Sequence, residues 1–328
     1  MLRLARRMLL ALAASTALSA LPAGAQQAFP NRTLTVIVPF AAGGPSDTVT
    51  RLVAEAMGRD LGQTMVVENV GGAGGTLGAQ RVANARPDGH TLLLHHIGMA
   101  TAPTLYRRLA YDPVAGFEPV GLVTEVPMTL VARNNFPANT LAEAVAIIRR
   151  DTEKLNYANA GIGAASHLCG LLLMSAVNAP MTTVPFRGTG PAMQELLAGR
   201  IDLMCDQTTN TTEQILGHQV KVFAVTTQNR IGALPDVPTS AEGGLPAFEV
   251  SVWHGLYAPR GTSPEIVNRL SQSLQVALRD PRLVARFREL GTEPVAQERA
   301  TPAAHRAFWA ADIAKWRPII QAAGQFAD

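Results

Sequence analysis

The chain has 328 residues, 47% hydrophobic and 16% charged, with a formal net charge of +3. That length exceeds what one hydrophobic core usually takes, so two domains are expected. Arg3, Arg6 and Arg7 sit in a leader without acidic residues, so the chain beyond that leader is neutral, 3 − 3 = 0. The clustered Lys and Arg of a nucleic-acid surface are missing, which excludes that class of partner.

In chain order, the arginine head is followed by an apolar run from Met8 to Leu21 and by Ala23-Gly24-Ala25. This is the pattern of a signal peptide over 1–25, cleaved after Ala25 to leave Gln26 first. A membrane anchor needs about 20 apolar residues and no such site. Arg6-Arg7 leaves Sec and twin-arginine export both open. An exported chain can form disulfides. Its two cysteines, Cys169 and Cys205, read equally as a bridge or as two buried thiols.

The mature part alternates strand, loop and helix. Leu34 to Val38 is a strand, and Val49, Leu52, Val53, Ala56 and Met57 fall at helical spacing. Met65 to Val67 is a strand, followed by the glycine loop "ENVGGAGGTLGAQ" and a helix through Val82. Thr91 to Leu94 is a third strand. A second unit starts near Val131, with a helix over Leu141 to Arg150 and a strand over Asn156 to Ala158. "NAGIGAASHLCG" and "VPFRGTGPAMQ" then repeat the loop-to-helix scheme. Val222 to Thr226 reads as a strand returning the chain to the first unit. Ser263-Pro264 caps a helix, and Ala303 to Ala323 forms the last one. Such alternation predicts parallel sheets covered by helices, with glycine loops at the strands' carboxyl ends, where ligands sit.

Enzyme motifs fail one by one. Gly72, Gly74 and Gly78 approach a dinucleotide fingerprint, but the next strand, "TLLLHHIG", ends without the acidic residue that holds a ribose. No G-K-[S/T] loop and no G-x-S-x-G elbow occur. His95 and His96 are neighbours on a strand and point to opposite faces, so one ion cannot take both. Beside His167, Ser166 diverges by about 100° on a helix and Cys169 by about twice that, wrong for proton transfer. Ser166 suits a helix cap or a ligand contact instead.

Seven segments in order carry a family resemblance: "VPFAAGGPSD", "VVENVGGAGGTLGA", "PDGHTLLL", "NYANAGIGAASHL", "VPFRGTGPAMQELLAGRIDLMCD", "LPDVPTSAEGGLPAFE" and "WHGLYAPRGTSPEIVNRL". Together they resemble the extracytoplasmic solute receptors of tripartite tricarboxylate transporters, the Bug family. The resemblance implies an α/β, type II-like periplasmic binding protein with its ligand cleft between two lobes. Lobe 1 would be 26–126 plus 229–328, and lobe 2 would be 127–228. Such receptors bind di- and tricarboxylates, amino acids or aromatic acids. They pass the ligand to membrane permease subunits or to a sensor, act as monomers and carry no cofactor or metal. The family's ligand loops fall here on Phe40, Ala42, Gly43, Gly44, Ser46 and Asp47, and on Gly74 and Gly75. In the second lobe they fall on Ala160, Gly161, Gly163, Ser166 and His167, with Arg187 and Asp206 nearby.

The residue chemistry agrees with a carboxylate. Helix N-termini offer free N–H groups and partial positive charge, and glycine lets them approach an anion. Gly43-Gly44 and Gly161 to Gly163 are expected to grip one carboxylate from both lobes, with Arg187 the sole added cation. Asp47 is expected to orient its loop. Departures from the family pattern are Val70-Gly71 for Arg-Pro, Ala164 for a hydroxyl, and "HHIGMAT" for a hydroxyl-rich stretch. Met99, His96 and Phe40 would then wall a planar acid. The alternatives are an exported α/β enzyme acting on a small carboxylic acid and a ligand-reporting partner of a sensor.

Overall fold

The first strand, β1 (Leu34–Val38), is an apolar run flanked by parallel neighbours β2 (Met65–Asn69) and β3 (Thr91–His96). The computed structural model describes residues 29–328 apart from Glu153, Gln325 and Asp328. The expected signal peptide lies outside the described residues. Between the strands run α1 (Pro45–Leu61) and α2 (Thr76–Ala83). Gly44 caps α1 in extended conformation with Pro45 at the first helical position, where a missing N–H costs nothing. α3 (Gly98–Leu105) follows β3.

β4 runs from Phe117 to Arg133, 17 residues. It is much longer than the strand expected near Val131, and the expected lobe boundary at 126/127 falls inside it. Its first half pairs with β9 (Ser251–Pro259), ending at Pro127↔Ser251. Its second half pairs with β7 (Leu203–Gln207) from Met128↔Gln207 and with β8 (Val220–Val225) from Thr129↔Val225. Pro127, which has no N–H for a ladder, therefore sits where the strand exchanges partners. The expected return strand does form, as β8, but it pairs with the second half of β4. β9 carries the chain back, antiparallel between β3 and β4.

The second sheet region continues through β5 (Asn156–Asn159) and β6 (Thr182–Pro185), parallel to one another, with β7 parallel to β5. The spatial order is β2-β1-β3-β9-β4-β7-β5-β6, with β8 and β10 (Glu293–Pro294) also on β4. Parallel ladders thus occupy both flanks, and antiparallel β9, β4 and β8 the middle. The covering helices are α4 (Leu141–Arg150), α5 (Ala165–Val177), α6 (Thr189–Leu197), α7 (Thr208–Leu216), α8 (Pro264–Ala277), α9 (Pro281–Glu289) and α10 (Pro302–Ala323).

The late helices pack on the early ones. Arg269 of α8 donates to Asp60 of α1 at 2.7 Å, and Trp309 of α10 donates to the Met99 carbonyl of α3 at 3.0 Å. Ser263 caps α8 by accepting from Ile266 N. Cys169 on α5 and Cys205 on β7 form a disulfide, both fully buried, which settles the open alternative in favour of the bridge. The fold is α/β with two lobes, yet Arg32–Asp328 form one compact unit, because β4 belongs to both sheet regions. Among the described residues no helix is long and apolar enough to cross a membrane.

Candidate functional site

Four helices begin at one small cavity. It is lined by Phe40, Gly44, Pro45 and Ser46 at the start of α1, Ala160, Ala165 and Ser166 at the start of α5, Thr189 at the start of α6, Asp206 and Gln207 at the start of α7, and His96 from β3. The first turn of a helix leaves N–H groups without intrahelical partners and carries about half a positive charge. No Lys or Arg lines this space. Its positive field therefore comes from backbone. About 20 Å³ is open to the centre of a water, room for roughly one ordered molecule.

Of the expected site residues, Phe40, Gly44, Ser46, His96, Ala160, Ser166 and Asp206 line this cavity. His96 stacks on Phe40 at 4.7 Å between ring centroids. Its Nδ1 accepts from Gly98 N at 3.0 Å, which leaves the proton on Nε2. Burial lowers its pKa to about 3, so it is a neutral donor. Ser46 Oγ lies 3.1 Å from His254 Nε2. Ser166 Oγ accepts from Ala160 N at 2.9 Å, so the hydroxyl closes the loop that precedes its own helix.

Other expected contacts are placed elsewhere. Gly43 is exposed and Ala42 largely so, and Gly43 N already donates to Asp47 at 3.0 Å. Gly161 N donates to Asn159 Oδ1 at 2.8 Å, and Gly163 N to His167 Nδ1 at 3.3 Å. These glycines spend their N–H groups inside their own loop, and His167 serves that loop rather than the cavity. The cavity is lined instead by Gly44, Ser46, Ala165 and Ser166, one to five residues further on. The Arg187 side chain is exposed, and the residue contributes only its carbonyl, which accepts from Ala41 N at 2.9 Å. Met99 is not on the same wall as His96 and Phe40. It joins Gly74, Gly163, His95, Tyr106 and Tyr111 around a second space with about 10 Å³ open to a water's centre. His95 and His96 line different cavities, but their ring centroids lie 4.8 Å apart and both rings pack on Phe40, so at this strand end they do not point to opposite faces as expected. Gly75 packs under His95 and Phe40.

Asp47 is buried and turned into its own loop. Burial pushes its carboxyl up, but hydrogen bonds from Arg51, Gly43 N and Asn69 outweigh this and hold it below its usual range. Asn69 also donates to the Phe40 carbonyl, so β2, the glycine loop and α1 share one network. This accounts for Asp47 as an orienting residue.

Asp206 is the opposite case. Burial pushes its carboxyl up to about 6, against hydrogen bonds from Asn210, Thr189 and Gln207 N. Sequence reasoning missed Pro45, Ala165, Thr189 and Gln207. Their shared signal was position, at or beside the first residue of a helix that follows a strand. Among the described residues no cluster of His, Cys, Asp and Glu suits a metal ion.

The two loop systems touch. Tyr106 Oη lies 2.7 Å from the Ala73 carbonyl and 2.8 Å from the Ile162 carbonyl. Thr101 donates to Gly163 O at 3.3 Å. A Cβ on Gly74 would stand 1.9 Å from Ile162 O, so only glycine lets these loops meet there.

The chain that builds these loops and this cavity is similar to known proteins. Residues 49–325 match the model of the tripartite tricarboxylate transporter family receptor. The chain belongs to this receptor family. The receptor is 52% identical to a UPF0065 protein of Agrobacterium vitis over 303 residues, 92% of this chain and 88% of the relative. The periplasmic binding protein BugD has a solved structure similar to this receptor, at TM-score 0.89 and 48% identity, covering 92% of this chain and all of that one. MatC from Rhodopseudomonas palustris, solved with bound malate, aligns at TM-score 0.86 and 43% identity, covering 89% of this chain and all of MatC.

Proposed function

We propose that this receptor captures a small carboxylate in the periplasm and delivers it to the membrane permease of a tripartite tricarboxylate-type transporter, without chemical turnover. The observation that carries the reading is the convergence of four helix N-termini on one cavity that no Lys or Arg lines. An anion there is held by fixed backbone donors, each charge-assisted bond contributing about 1.5–3 kcal/mol. The malate bound by MatC supports the same class of ligand. The chain is exported by a signal peptide cleaved after Ala25 and works as a monomer. Lobe 1 consists of 26–126 plus 229–328 and lobe 2 of 127–228, closing on the ligand between them. Contacts available from both lobes only when they are together supply the differential that drives closure.

The test is a thermal-shift screen of mono-, di- and tricarboxylates, amino acids and aromatic acids, each beside its neutral amide. A ligand at 100 times its Kd adds about 2.7 kcal/mol. A carboxylate should raise Tm by several degrees while its amide does nothing, and native mass spectrometry should recover it unchanged. Equal shifts by acid and amide, or recovery of a product, would overturn the reading.

A further inference from the structure

The cavity pairs its donors with an acceptor wall. Asp206 and Gln207 are 1% and 2% exposed and adjacent at the start of α7. Gln207 Oε1 is buried and accepts no hydrogen bond. Asp206 accepts from Asn210 Nδ2 at 2.6 Å, from Thr189 and from Gln207 N, which fills three of the about four acceptor sites a carboxylate offers. An unmatched buried acceptor is costly, because it has left water without replacement. The titratable groups beside this wall supply no compensating cation. His96, which lines the cavity, stays neutral, as does His254 behind Ser46. Tyr157, whose hydroxyl donates to the Ser166 carbonyl, stays protonated.

From this juxtaposition we infer that Asp206 and Gln207 select ligands carrying a hydrogen-bond donor, a hydroxyl or an ammonium, beside the carboxylate. The inference rests on the carboxylate reading above. Helix starts take the ligand's carboxylate, and the α7 wall takes the donor on its neighbouring carbon. An acid without that donor leaves Gln207 Oε1 buried and unmatched and the remaining acceptor site of Asp206 unused. A hydroxyl or ammonium satisfies them, and the ammonium also supplies the missing positive charge.

The experiment is calorimetric titration with matched acids that differ only in the donor: malate or aspartate against succinate, glutamate against glutarate, lactate against propionate, mandelate against phenylacetate. In any set that binds, the donor member should bind at least about tenfold tighter. Asp206→Asn should cut that preference to below about threefold, because an amide presents one acceptor and no charge. Gln207→Met, which keeps length and removes both polar groups, should also lower it, and this variant carries the test if Asp206→Asn fails to fold. Equal binding within a set, or variants that weaken both members alike, would overturn the inference and leave the carboxylate reading standing. No binding by any acid would overturn both.

Discussion

Two buried aspartates of this receptor titrate in opposite directions, and each makes a prediction. Asp47 is held below its usual range, so the stability it adds is present above that range and lost as the pH falls through its folded pKa. Asp47→Ala would leave Gly43 N and Asn69 without their acceptor, at a cost of about 2 kcal/mol. In differential scanning calorimetry at pH 7 the variant should melt roughly 4–8 °C lower, and the gap should shrink in acid. Asp206 has a raised folded pKa, about 6. Its contribution is present below the ordinary carboxylate range and lost as the pH rises through that value. Asp206→Asn should therefore melt higher than the parent at pH 8, with the difference fading towards pH 4. An unchanged difference across that range would remove burial as the cause.

At the scale of elements, the disulfide ties the first turns of α5 to the middle of β7, spanning 36 residues. Chain-entropy arguments put closing a loop of that length at about 4 kcal/mol. Of the three helix starts on the cavity that belong to this region, those of α5 and α7 adjoin the bridged segments and that of α6 lies between them in the chain. Cys169→Ala with Cys205→Ala should lower Tm by roughly 8–16 °C, and reductant should do the same to the parent but nothing to the double variant. Equal melting temperatures with and without reductant would show that the bridge adds no stability. The glycines differ in kind. Gly161 has φ +99° and an added Cβ would meet Gly74 N at 3.1 Å, whereas Gly44 is extended and meets nothing nearer than 3.4 Å. Alanine at 161 should therefore cost stability by about 1–2 kcal/mol, while alanine at 44 should leave Tm within a degree or two.

Over the whole molecule, the loop contacts and the cavity size are linked. With Tyr106 bridging Ala73 and Ile162, the cavity holds about one water, so admitting an organic acid requires the loops to part. The chain passes between the two sheet regions side by side at Pro127 and Thr226. Thr226 N donates to Met128 O, and its hydroxyl donates to Val250 O. Gly74→Ala places a Cβ where Ile162 O now stands, so it should hold the loops apart while the core folds. Small-angle scattering should show a larger radius of gyration for this variant than for the parent at saturating ligand. Identical radii would mean the loops meet without needing glycine there.

Local elements were legible in the residues alone. The apolar run of β1, the stripe of α1, the Ser263 cap and the glycine loops each depend on neighbours within a few residues, so period and capping rules reach them. The family was legible because seven ordered segments span the chain. β9 was missed as a strand, although "SVWHGLYAP" carries the strand-favouring Val252, Trp253 and Tyr257. The single length of β4 was hidden because Pro119 and Pro127 look like strand breakers until their bulge and partner exchange are seen. The cavity wall belongs to tertiary structure alone. Gly161 and Gly163 look like anion donors in sequence, but whether an N–H is free depends on Asn159 Oδ1 and His167 Nδ1 being in reach. Arg187 looks like the one cation, yet its side chain faces water. Gln207 and Thr189 announce nothing on their own, because their role comes from four helices starting at one point, and that convergence is a property of how the strands are ordered in space.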